Sequence, residues 1–183
     1  MSRLRVPAEV AILLPSLLLV GCGATAKTPT PALTGDQLAN AEYQSPTPAE
    51  GAVLLTDGEY HEPAAPGSAS QVTVTMLPDL TAYGDLNGDG VSDAAVILAG
   101  SAGGSGTFIT LAAVLNQDGE PQHVASAELG DRVQVHSVAI ESGEIVVSLT
   151  THAPSDPLCC PTLETERRFH LEQDQLVEVT PPA

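Results

Sequence analysis

The residues with the most explicit chemistry are Asp85-Leu86-Asn87-Gly88-Asp89-Gly90-Val91-Ser92-Asp93. Oxygen-bearing side chains stand at positions one, three, five and nine of this run, glycine stands at six, and position seven offers the Val91 carbonyl. That pattern is the opening three quarters of a calcium loop, in which hard oxygen ligands alternate with residues that let the backbone wrap an ion. The expected ligands are the side chains of Asp85, Asn87, Asp89 and Asp93 with the Val91 carbonyl, and the expected cofactor is calcium. An EF-hand would add a bidentate Glu at position twelve, where this chain has Val96. Without it the site should be weak. The competing reading is a turn whose Asn-Gly and Asp-Gly pairs serve backbone geometry alone.

A second group lies at Cys159-Cys160, bracketed by Pro157 and Pro161, with His152 and Asp156 upstream. Thiolate and imidazole suit zinc or copper, so these four are candidate metal ligands, although their spacing matches no familiar zinc module. The alternative is a disulfide between neighbours, which closes a very small ring, adds little stability and is easily reduced, so that a thiol-dependent metal-binding or redox protein is the second functional reading. A Cys160–His152 nucleophile pair is a third reading, opposed by the vicinal thiol that would quench it. No Gly-x-Ser-x-Gly elbow, His-Glu-x-x-His helix or Walker loop occurs, and the Gly-rich segment at 100–106 reads as a hairpin loop. The expectation is a non-enzymatic chain.

The third cysteine, Cys22, closes the segment Leu19-Val20-Gly21-Cys22 behind an apolar run from Val10 to Val20 and the cations Arg3 and Arg5. A run of 11 residues interrupted by Pro15 is too short for a spanning helix, which needs roughly 20 apolar residues to cross ~30 Å of hydrocarbon. The layout is a secretory signal over residues 1–21. The tetrad Leu19-Val20-Gly21-Cys22 resembles the bacterial lipobox, and the resemblance implies lipidation of Cys22 and anchoring to a cell membrane or outer membrane, facing the periplasm or exterior. Two acyl chains would make that attachment stable. Residues 22–33, rich in Pro, Thr and Ala, form the expected tether, and 34–183 the folded domain.

The whole chain has 6 basic and 23 acidic side chains; removing Arg3, Arg5 and Glu9 with the signal leaves 4 and 22, a net charge of −18 on 162 residues. Such a field repels nucleic acid, which is not an expected partner, and favours cations or a basic cell-envelope protein or ligand; the alternative is that the acidity only keeps an exported chain soluble.

The elements that must position these groups are strands. Alternation at Val72, Val74 and Met76, and again at Ile145, Val147 and Leu149, marks half-buried strands. Ala94 to Ala99 and Phe108 to Leu115 are almost wholly apolar, as in central strands covered on both faces. Between Val133 and Ile140 the apolar phase slips, the mark of a β-bulge. Gly130-Asp131-Arg132 should begin this strand, its Asp and Arg forming a structural ion pair. A short N-terminal helix is expected in Thr34–Tyr43, capped by Thr34. The predicted class is all-β, an antiparallel meander forming a sandwich or partly open barrel.

The acidic loop is similar to the loops of FG-GAP β-propeller repeats, which bind calcium between strands; with one copy, no propeller is implied. The lipobox, the 85–90 loop, Gly103-Gly104-Ser105-Gly106-Thr107-Phe108, Leu129-Gly130-Asp131-Arg132 and Cys159-Cys160-Pro161 together resemble a group of uncharacterised bacterial lipoproteins. That resemblance implies one intact domain and brings no activity with it.

Overall fold

The computed structural model describes residues 29–44 and 51–179. The signal segment and Cys22 lie outside the described residues.

The fold is built around two apolar strands, β6 (Asp93–Ala102) and β7 (Phe108–Gln117), paired antiparallel with Ala95 opposite Ala113 and Ile97 opposite Leu111. Successive strand residues face opposite sides, so an unbroken apolar run needs a core on each face. Ala95, Ile97, Leu111 and Ala113 enter one core, while Ala94, Val96, Leu98, Ala112 and Val114 enter another. The chain therefore stacks in three layers.

The central layer is a six-stranded sheet in the order β3 (Glu59–Pro63), β4 (Gln71–Met76), β6, β7, β8 (Glu120–Asp131), with β5 (Ala82–Gly84) also paired to β6. Strands β4 and β5 share one edge of β6 end to end, joined by a 3₁₀ turn at Pro78–Leu80. On one face lies a four-stranded sheet, in which β9 (Gln134–Glu141), β10 (Glu144–Thr151), β11 (Leu163–Glu172) and β12 (Gln175–Glu178) follow in order. Ile145, Val147, Leu149 and Phe169 fill the core between the sheets. On the other face, the N-terminal layer covers the second core with Leu33, Leu38, Tyr43, Val53 and Leu55. It comprises α1 (Gly35–Leu38) and the pair β1 (Glu42–Gln44) and β2 (Ala52–Leu54).

The result is an antiparallel all-β sandwich with no closed barrel. No helix among the described residues is long and apolar enough to cross a membrane.

Local sequence explains the details. Thr34 caps α1 through a full capping box, its hydroxyl accepting the Gln37 amide while the Gln37 side chain accepts the Thr34 amide. The helix is only one turn long, and Tyr43 belongs to β1, where its hydroxyl donates to the Leu38 carbonyl at 2.9 Å. The expected bulge falls on His136, between the pairs Ser148–Ser137 and Leu149–Val135. One expectation is corrected: Gly130 and Asp131 end β8 instead of starting a strand. Arg132, at φ 54°, makes the turn into β9. Its ion pair with Asp131 is formed at 2.8 Å.

The folded unit also begins earlier than the tether boundary at residue 33. Leu33 is buried, and the Pro31 carbonyl accepts from Asn116 Nδ2 at 2.8 Å.

Candidate functional site

The acidic loop is the connection between β5 and β6, whose ends pair Gly84 with Asp93. Gly88 and Gly90 take φ values of 80° and 82°, a region that glycine enters at no steric cost. Those two positive-φ residues aim the loop's amides inward. Asp85 receives them, its Oδ1 accepting from the Gly88 amide at 2.7 Å and its Oδ2 from the Gly90 amide at 2.9 Å. These amides, Gly90 first, hold the Asp85 carboxyl below the ordinary aspartate range. Asn87 Oδ1 accepts the Asp89 amide, Asp89 Oδ1 accepts the Val91 amide, and Asn87 Nδ2 donates to Asp89 Oδ2 at 3.1 Å.

Asp93 differs from the other acids of the loop. It is fully buried, with Oδ2 accepting the Leu86 amide and Oδ1 the Asn116 amide, both at 2.9 Å. Burial pushes its carboxyl above the usual range against the pull of those two amides, and the charges of Asp89 and Asp85 push the same way. Asp93 is therefore the pillar under the loop, while Asp85, Asn87 and Asp89 occupy its outer wall. Among the described residues, no three His, Cys, Asp or Glu side chains are gathered as a metal-holding group.

No protein-family model, curated protein or solved structure matches this chain.

Two clefts flank the loop. One, of about 350 Å³, is lined by Pro29, Thr30, Asp89, Val91, Ser92 and Asn116. The other, of about 360 Å³, is lined by Gly84, Asp85, Gly88, Ile140, Ser142 and Gly143. Two groups escaped the sequence reading. Asn116 is buried, and its Nδ2 donates to both Pro31 O and Ser92 O while its Oδ1 accepts the Gly119 amide at 2.8 Å. Gly84 leaves no space for a side chain against Ile140 of β9. A lone Asn ending an apolar strand was the available signal for the first; the close approach at Gly84 had none.

The second candidate group lies in the loop between β10 and β11. Cys159 and Cys160 are joined as a disulfide, and both are exposed. Asp156 is committed to the loop itself, accepting the Ala153 and Thr162 amides at 2.8 Å and the Thr162 hydroxyl at 3.0 Å. The Ala153 amide foremost, then Thr162 and the nearby His152, holds this carboxyl below the ordinary range. His152 Nε2 meets the Asp131 carbonyl at 3.2 Å, so its proton sits there, and Nδ1 is buried without a hydrogen-bond partner. His152, Asp156, Cys159 and Cys160 thus share a loop without forming a common ligand shell.

Cations are scarce at the surface. Arg132 pairs with Asp131, Arg167 with Glu178, and Arg168 with Glu166, Glu141 and Glu144.

Proposed function

We propose that the chain is an exported, lipid-anchored, non-enzymatic module of the bacterial envelope whose acidic loop binds calcium and which docks a cationic partner or ligand. The observation that supports the calcium reading is the placement of Asp85, Asp89 and Asp93 in one loop; burial foremost raises the Asp93 carboxyl, and the charges of Asp89 and Asp85 add to it. A divalent cation relieves that repulsion. Asp85, Asn87, Asp89 and the Val91 carbonyl are the groups that would hold it, with Asp93 supplying charge from beneath. Bound calcium would supply no reaction chemistry here, only charge neutralisation and a fixed turn. The loop is already shaped by its own amides, so little ordering accompanies binding. The same amides occupy part of each side-chain ligand, and no bidentate Glu contributes. An affinity on the order of 10⁻⁴ M follows from the incomplete ligand set.

At roughly 1 mM free calcium that affinity stabilises the fold by about 1.4 kcal/mol. The expected result is a rise in melting temperature of about 3–5 °C on adding calcium. Asp89→Ala should remove most of it, while Asp118→Ala, in the separate β7–β8 turn, should leave it intact. A melting temperature indifferent to millimolar calcium, together with a flat calorimetric titration, would reduce the loop to a turn.

The anchoring reading rests on the lipobox-like segment before Cys22 and on the likeness to bacterial lipoproteins. Protein extracted from membranes is expected to carry lipid mass on Cys22, and Cys22→Ser to accumulate as unprocessed precursor. Unacylated wild-type protein in the soluble fraction would rule anchoring out.

A further inference from the structure

We propose that the Cys159–Cys160 disulfide is a reversible two-electron centre on the protein surface that exchanges with an exported dithiol, and that it is not a structural crosslink. The bond restrains little of the chain. A disulfide stabilises by closing a loop of the unfolded chain, and the effect grows with the length of that loop. Between adjacent residues the loop is the smallest possible.

The native conformation of residues 153–162 is secured by other means. Asp156 staples Ala153 to Thr162 through two amides and a hydroxyl. Turn hydrogen bonds run from the Asp156 amide to Ala153 O and from the Cys160 amide to Pro157 O, each at 3.0 Å. Pro161 is buried directly behind the pair. Arg132 Nη1 donates to the Leu158 carbonyl at 3.0 Å, and its other amino group donates to Ser105 O. None of these contacts involves sulfur, so all of them persist when the S–S bond opens.

What remains is chemistry. Both cysteines are exposed, and the preceding Leu158 is 78% exposed, with Leu163 at 47% beyond it. An incoming thiolate therefore reaches the pair beside an apolar knob suited to docking. The Arg132 guanidinium, ion-paired with Asp131, is held at the Leu158 carbonyl and so fixes the backbone one residue before the pair. The chain has three cysteines, so beyond this pair it holds no second dithiol, and the reducing dithiol is another molecule.

The exchange balances as follows. One thiolate of the partner attacks a sulfur of the pair; the Cys159–Cys160 bond breaks, a mixed disulfide forms, and the released sulfur takes a proton. The partner's second thiolate then attacks its own sulfur in the mixed disulfide and releases the other cysteine, which takes the second proton. The partner becomes a disulfide, and the pair has gained two electrons and two protons. The reverse sequence recharges it.

The test uses the full exported chain. Dithiothreitol under native conditions is expected to reduce the pair, giving two alkylated cysteines by intact mass, with the melting temperature unchanged. Oxidised glutathione should then restore the bond. Cys159→Ser and Cys160→Ser should each melt as the wild type does and retain one glutathione. The reduced wild type should shed it at least roughly tenfold faster by closing its own disulfide. The proposal is overturned if reduction requires unfolding, if the reduced protein melts well below the oxidised one, or if wild type keeps the glutathione adduct as long as the single variants do. None of these outcomes depends on calcium or on the lipid anchor.

Discussion

Asp93→Ala is expected to lower the unfolding free energy by about 3 kcal/mol, measured by urea denaturation without calcium. The side chain is fully buried and accepts the Leu86 and Asn116 amides, each at 2.9 Å. Alanine leaves both donors without an acceptor, in a place water reaches only by disturbing the loop. A stranded buried amide costs about 1–3 kcal/mol. Asn in place of Asp keeps the shape but turns a donor toward one of the amides, so Asp93→Asn should recover only part of the loss. The pH dependence has a definite sign. Native Asp93 binds its proton more tightly than the unfolded chain does, because its carboxyl is held above the ordinary range. That contribution is fully present below the unfolded value and declines as pH rises through the raised native one. The deficit of the alanine variant should therefore narrow across that window on going from acid toward neutral pH. A deficit under about 1 kcal/mol would mean that the two amides find other acceptors.

Gly84→Ala should cost about 2 kcal/mol, the scale of an overpacked contact. A Cβ at this position would stand 2.6 Å from Ile140 Cγ2 and 2.8 Å from Ile140 Cβ. The backbone there is not in a left-handed conformation, so the penalty is wholly steric: β5 must move away from β9. Asp85 follows directly, and the displacement passes into the acidic loop. Ile140→Ala removes the nearer carbon but keeps Cβ, so the cost of Gly84→Ala in that background should fall by about half and show as coupling in a double-mutant cycle. Two additive substitutions would mean that β5 and β9 do not meet there as closely as the structure has them.

How far the sequence could be read depended on whether side-chain periodicity survived in it. The central strands were legible because a two-sided core demands the unbroken apolar runs at Ala94–Ala99 and Phe108–Leu115. The bulge at His136 was legible because it left a phase slip between Val135 and Val138. Strand β8 was not: its register against β7 shifts twice, once between Ile109 and Thr110 and once between Ala113 and Val114. Two shifts interrupt the alternation, and the in-phase inward positions Ala125, Ala127 and Leu129 span only five residues, two of them small alanines that stand out little from their neighbours. Strands β1 and β2 have three residues each, too few to establish any period. At the site, the positions of the acids were legible from spacing alone, because a loop motif is contiguous in the chain. Asp93's commitment to the Asn116 amide was not, since that contact joins residues 23 apart and depends on strand pairing.

The Asn116 side chain has a mechanical meaning. Its Nδ2 grips Pro31 O and Ser92 O together, and Gln37 adds a second fastening through Gly119 O at 2.7 Å. Tension arriving along the chain from ahead of Pro29 would meet the Pro31 contact first, then the buried Leu33 and the Gln37 contact, before the sheets carry load. Ser92 belongs to the acidic loop, so the load path runs through the loop's own end. A tug on the N-terminus and a change in the loop's shape act on the same amide group, which makes Asn116 a weak link placed ahead of the fold it protects.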